Sequence, residues 1–261
     1  QIIFIRVLGA LILFFIVSLF FKKERFSVKD IITIAIASFF GIAVNQVLFF
    51  TGLNLTTPVN ASVIHASSPV LVVLFSALIS RERITAMKIA GIVLGGVGAV
   101  TLILYQHVIT FDHTFLKGNI FILINITAYS LYLVIIKPVM SKYNPVWVMR
   151  WVFLFGFIWV APVTLSSLSS IDLTSISVNS WLALIYVVAG TTTLAYLLTT
   201  YGLRYLNASV VGYYIYMQPL VAAVIAWLWF DDKVTPPGIV AALLIFIGVF
   251  LVSKSNKNIV P

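Results

Sequence analysis

The sequence predicts an all-α polytopic membrane protein. Its composition is 62% hydrophobic and 9% charged, whereas a soluble domain uses about 25% charged residues to cover its surface, so this chain needs an apolar solvent outside. The apolar residues gather into nine stretches of near-spanning length, joined by short polar connectors. The basic residues concentrate in alternate connectors, as in membrane proteins whose positive loops stay in the cytoplasm.

A spanning helix needs about 20 apolar residues, because the hydrocarbon core is about 30 Å thick and each helical residue rises about 1.5 Å. Suitable stretches run approximately 2–21, 31–51, 57–79, 86–106, 118–136, 147–168, 181–200, 208–230 and 236–252. The first is too long for a signal peptide and lacks a cleavage pattern. Connectors such as KKERFSVKD, SRERIT and FDDKVT are polar, and alternating their sides puts thirteen Lys and Arg on one face. Only Arg6, Lys117 and Lys233 fall on or near the other face, so the expected location is the cell inner membrane with a cytoplasmic C-terminus. The net charge of +9 resides in these loops and calls for no nucleic acid. The absence of cysteine excludes disulfides and cysteine-held metal.

Sliding the chain against itself by 150 positions aligns two halves without a gap. Gly52, Pro69, Thr85 and Gly98 fall on Gly202, Pro219, Thr235 and Gly248, residue types that fix turns, kinks and caps. The helices bearing Pro69 and Pro219 are five spans apart, so they cross in opposite directions and the repeat is inverted. Arg81-Glu82-Arg83 then lies inside, and its counterpart Asp231-Asp232-Lys233 lies outside. The stretch 118–136 opens the second repeat, so its partner would precede residue 1. The expected plan is a ten-helix inverted repeat (5+5) whose first helix is absent. Residues 1–106 form the first repeat and 107–261 the second, together one transmembrane domain. Secondary transporters recurrently use this plan, because two similar halves of opposite orientation can open a central site to either side in turn.

Two segments carry a resemblance to a known family. GLNLTTPVNASVIHASSPVLVVLFSALISRERIT and YGLRYLNASVVGYYIYMQPLVAAVIAWLWFDDKVT each read as a turn, a proline-interrupted helix and an acidic loop ending in Thr. The chain resembles the drug/metabolite transporter superfamily, specifically the EamA-type permeases of bacteria. The resemblance implies efflux or exchange of small metabolites, amino acids or drugs through a central cavity. It also implies an acid after the second proline helix, a place held here by Asp231 and Asp232.

A polar side chain in hydrocarbon is costly, so those that persist tend to face the bundle interior. Asn125, Tyr129 and Tyr132 share one helix face; Ser209, Tyr213 and Tyr216 share a second; Ala61, His65 and Ser68 share a third. Ser38, Gly41 and Asn45, with Gln46 adjoining, make a weaker stripe, and Gln218 and Ser68 adjoin the hinge prolines Pro219 and Pro69. The expected substrate contacts are thus Asn45, Gln46, His65, Ser68, Asn125, Tyr129, Tyr132, Tyr213, Tyr216 and Gln218. A tyrosine- and amide-lined wall suits amphipathic or aromatic solutes. Each residue has a plainer alternative. Tyr213 and Tyr214 also suit an interfacial belt, and His65 suits a satisfied buried histidine. Thr191, Thr192 and Thr193 read as glue between helices, and Arg6 and Arg150 as anchors reaching for the interface. Gly91 and Gly95, spaced GxxxG with Gly98 beyond, allow close helix approach within the chain or in a homodimer.

All seven carboxylates fall in connectors, and no nucleotide-binding loop is present. No cofactor is called for, and the lipid bilayer and a small solute are the expected partners. If protons are coupled, His65 is the mid-span group suited to carry them; otherwise the chain is a facilitator or exchanger. An intramembrane enzyme is the rival from another class. It needs paired acids, a metal cluster or a nucleophile with its base at one depth, and the spans offer one histidine and no acid. His107, Asp112 and His113 share an external connector, which is weak evidence for a metal, so no metal site is expected, and a scaffold without transport is the second rival.

Overall fold

The computed structural model describes residues 2–104, 113–165, 177–229 and 236–257, and every regular element among them is helical. The helices are α1 (Ile2–Ser18), α2 (Val28–Ser38), α3 (Asn45–Leu53), α4 (Pro58–His65), α5 (Ser68–Ile79), α6 (Ala86–Leu104) and α7 (Leu116–Lys142). They continue with α8 (Pro145–Thr164), α9 (Val178–Tyr186), α10 (Ala195–Tyr205), α11 (Ala208–Tyr213), α12 (Met217–Trp229) and α13 (Pro236–Lys257). π-helical turns at Phe39–Val44 and Val187–Leu194 join α2 to α3 and α9 to α10 into single rods. Among the described residues eight helical stretches are long and apolar enough to cross a bilayer, and α1 is a shorter apolar helix of 17 residues.

Local chemistry sets the helix starts. Ser27, Thr57, Asn144 and Ser177 each accept a backbone N–H of the first turn, and Pro58 and Pro145 occupy the position where a missing N–H costs nothing. Ser27 and Ser177 are 150 apart, as are Thr57 and Asn207, the extended residue before α11. The breaks recur at the same spacing. α4 stops at His65 and α5 resumes at Ser68 with Pro69 in its first turn; α11 yields to a 3₁₀ turn at Tyr214–Tyr216 before α12 carries Pro219. The two π-helical turns also overlap at this spacing.

The chain forms two compact units. The first comprises Gln1–Val47 and Leu131–Leu206. In it α1 runs antiparallel to α8, with Phe14 stacked on Phe153 at 5.2 Å and Phe4 beside Phe157 at 5.4 Å. Arg6 Nε donates to Thr192 Oγ1 at 3.0 Å, near the middle of the α9–α10 rod, so Arg6 turns inward and is not an interface anchor. A Cβ on Gly156, the residue 150 beyond Arg6, would lie 2.6 Å from Ile42, the residue 150 before Thr192. Asp30 lies in the first turn of α2 and not in a connector; it is 6% exposed, accepts from Ser27 Oγ at 2.7 Å and Tyr143 at 2.9 Å, and pairs with Lys142 at 3.0 Å. A carboxylate belongs there, against the positive end of the helix dipole.

The second unit comprises Leu48–Ser130 and Asn207–Pro261. Its spine is the antiparallel pair α6 and α13, whose backbones touch across glycine. A Cβ on Gly91 would lie 2.8 Å from the Gly248 carbonyl oxygen, and one on Gly98 2.6 Å from that of Ala241. These two contacts are one contact seen from both halves, since Gly91 and Ala241 are 150 apart, as are Gly98 and Gly248. The GxxxG face is therefore filled from within the chain, which removes the sequence basis for a homodimer through it. At one end of this unit Lys88, 1% exposed, pairs with Glu82 at 3.1 Å, and Ser209 donates to the same carboxylate oxygen at 2.6 Å.

Candidate functional site

Within the second unit the break between α4 and α5 faces the first half of α7. Its turn leaves His65 at the end of one helix and Ser68 at the start of the next. The His65 side chain hydrogen-bonds to Asn125, and its ring meets Phe49 edge-on at 5.8 Å. Its Nε2 is buried and makes no hydrogen bond among the described residues. Ser68, 1% exposed, shares a 3.2 Å hydrogen bond with Ser130, whose hydroxyl also reaches the Ser68 carbonyl at 3.4 Å. Tyr129 is half-buried on the same stretch of α7. The result is a small polar cluster of imidazole, amide and hydroxyls beside an aromatic ring. It offers hydrogen-bond donors and acceptors without fixed charge.

The predicted tyrosine stripe on α11 has another destination. Tyr213 and Tyr216 are 1% and 2% exposed, meet edge to face at 5.0 Å, and sit in an apolar cluster with Ala99, Val210 and Ile245. Tyr213 donates to the Gly91 carbonyl at 2.7 Å, and its hydroxyl occupies the space that a side chain on Gly95 or Gly248 would need. These rings fill the gap that small residues open beside α6 and α13. Ser209 is committed to Glu82. Gln218 is exposed on the surface of the unit.

In the first unit Asn45 and Gln46 open α3, just past a π-helical turn. Gln46 is 3% exposed, and neither its amide nitrogen nor its amide oxygen finds a partner among the described residues. Such a group is costly to bury unless something else completes its hydrogen bonds. Tyr132 is fully buried against Gly41, where any side chain would collide with its ring, and lies 6.5 Å from Tyr196. Tyr196 donates to the Gly41 carbonyl at 3.0 Å.

The stripe on α7 is therefore divided: Asn125 and Tyr129 belong to the second unit and Tyr132 to the first. Ser130 and Tyr196 were not among the sequence candidates. Ser130 lies off the Asn125–Tyr129 face, but Tyr196 could have been found, because it stands 150 residues beyond Gln46. Among the described residues no group of His, Asp or Glu gathers as a metal site. His107, Asp112, Asp231, Asp232 and Lys233 lie outside the described residues, as does the His113 side chain.

A family model described as the EamA-like transporter family matches residues 1–104 and 116–254. The chain is 22% identical over 233 residues to the uncharacterized transporter YyaM of Bacillus subtilis (strain 168), covering 89% of this chain and 76% of that protein. It is 24% identical over 235 residues to an uncharacterized transporter of Archaeoglobus fulgidus, covering 89% and 81%. A solved structure titled "Crystal structure of protein" shares the fold, with a TM-score of 0.79 at 17% identity over 99% of this chain and 88% of that one.

Proposed function

The chain belongs to the EamA-like transporter family and is a membrane transporter; we propose that it exports small amphipathic metabolites across the cell inner membrane by alternating access, with its C-terminus in the cytoplasm. The observation that carries the mechanism is the reciprocal packing of α6 and α13. Helices 150 residues apart run antiparallel and exchange equivalent contacts, Gly91 to Gly248 and Gly98 to Ala241. An inverted repeat makes equivalent helices cross in opposite directions, as this pair does. Alternating access follows when each half can adopt the conformation of the other.

The substrate contacts we assign are His65, Asn125, Ser68 and Tyr129, all in the second unit. They are neutral hydrogen-bonding groups, so the solute is recognised through hydroxyl, amide or ring groups. The described acids Glu24, Asp30 and Glu82 are engaged elsewhere, with Asn144, Lys142 and Lys88, which favours facilitated export over proton exchange through His65.

The test is efflux by cells that express the full protein and are challenged with a panel of toxic amino acid analogues and dyes. Resistance accompanied by loss of the labelled compound from the cells is expected for at least one solute class. Equal accumulation with and without the protein across the panel would defeat the transport reading and favour a scaffold.

A further inference from the structure

We propose that the first unit carries a binding site for the phosphate headgroup of an anionic glycerophospholipid, built around Arg150 and Trp147. A pocket of about 440 Å³ opens where α1 ends and α2 and α8 begin, and both residues line it with Lys23, Phe15 and Leu19. Helix ends of this kind lie at the level of lipid headgroups.

The donors are left largely open: among the described residues the indole N–H finds no acceptor and the guanidinium finds one. Trp147 is 7% exposed, yet its buried indole N–H makes no hydrogen bond to any described residue. Arg150 packs its guanidinium carbon 3.9 Å from the Phe15 ring centroid and 4.8 Å from that of Trp147, and gives one N–H to Ser18 at 3.2 Å. Neither ion pair of the described residues includes it. With its face held against aromatic rings, the planar fork presents its remaining N–H edge, which matches phosphate oxygens. Lys23 adds a second cation. Glu24 also lines the pocket, but it accepts the Asn144 N–H at 2.9 Å and so caps the turn into α8.

The mouth of the pocket selects a lipid over a free anion. Leu19 is 69% and Phe15 47% exposed, and the adjoining Phe20 is 83% exposed. Apolar side chains at the rim of a cationic pocket match a headgroup whose acyl chains continue into the membrane. Basic pockets between spanning helices bind acidic headgroups on this principle.

Native mass spectrometry of the full protein, released from micelles holding phosphatidylglycerol and phosphatidylcholine in equal amounts, tests the site. One tightly retained phosphatidylglycerol is expected. Arg150→Gln should weaken its retention about tenfold, and Trp147→Phe, which keeps an aromatic ring but removes the N–H, by roughly threefold. Should Arg150→Gln fail to fold, the Trp147→Phe result decides alone. Retention unchanged in Trp147→Phe and, where it folds, in Arg150→Gln, or equal retention of the two lipids, overturns the proposal. Displacement of the lipid by excess inorganic phosphate would reassign the pocket to small anions and overturn it as well.

Discussion

A buried imidazole in an apolar bundle is stable when its nitrogens have partners, and His65 has one partner in Asn125 and an open Nε2. That open nitrogen is where a solute's donor or acceptor would bind. His65→Phe removes both nitrogens while keeping a flat ring. It should raise the KM for the exported solute by about tenfold, the value of one to two lost hydrogen bonds, while His65→Gln recovers most of the loss. Initial rates in proteoliposomes decide it, and an unchanged KM in the Phe variant removes His65 from the site. The pH profile of the Gln variant should follow that of the wild type, because the described acids Glu24, Asp30 and Glu82 are paired with other groups and not with the ring. Arg81 offers a prediction of opposite sign. It ends α5 with φ at 54°, the left-handed region, the sole non-glycine residue described there. Arg81→Gly relieves that strain and should stabilise the protein by about 1 kcal/mol, read as a higher midpoint of thermal unfolding in detergent. At this scale the sequence revealed which polar residues were out of place, but not which were already satisfied. Tyr213 and His65 look alike as members of spaced stripes. What separates them is the glycine opposite Tyr213, on a helix far away in sequence.

Helix packing in lipid depends on close approach, since hydrocarbon outside removes the usual hydrophobic gain from burying apolar side chains. Gly98 is a place where closeness is obligatory, because the atom nearest an added Cβ is the Ala241 carbonyl oxygen at 2.6 Å, which belongs to a rigid backbone. Gly98→Val should push α6 from α13 and cost about 1–3 kcal/mol. Gly190→Ala is the control, since its Cβ would come no nearer than 3.5 Å to Tyr186. Thermal unfolding of the two variants side by side measures the contrast, and equal losses would mean that the α6–α13 contact is not what limits stability. At the scale of elements hydropathy located the helices and misjudged their ends. The stretch expected at 118–136 is helical from Leu116 to Lys142, and within it the Lys137 ammonium donates to the Leu203 carbonyl. The one expected at 181–200 extends from Val178 to Tyr205. The π-helical turns at Phe39–Val44 and Val187–Leu194 had no compositional mark. In the second of them the Thr192 and Thr193 hydroxyls donate to carbonyls five residues back, and Thr192 also accepts from the distant Arg6.

For the whole molecule the legible feature was the 150-residue register, because it depends on Gly, Pro and Thr, whose backbone consequences are local. The register did not reveal that each compact unit would draw segments from both halves of the chain. That division depends on which helices pack, and packing partners are set by side-chain shape across long sequence separations. Inversion makes a firm prediction about sidedness. The turn before α4 and the turn before α11 are equivalents, capped at Thr57 and Asn207, yet five spans separate them. They must therefore open on opposite sides of the membrane. Leu55 and Leu206 mark these turns and are 39% and 37% exposed. With no cysteine in the sequence, Leu55→Cys and Leu206→Cys each create a unique thiol. An impermeant maleimide added to intact cells should label the first directly and the second only after the membrane is opened, which is the sidedness that the basic connectors require. Labelling of both thiols from the same side would mean that the two halves are parallel, and a transporter built on exchange between inverted halves could not operate in this chain.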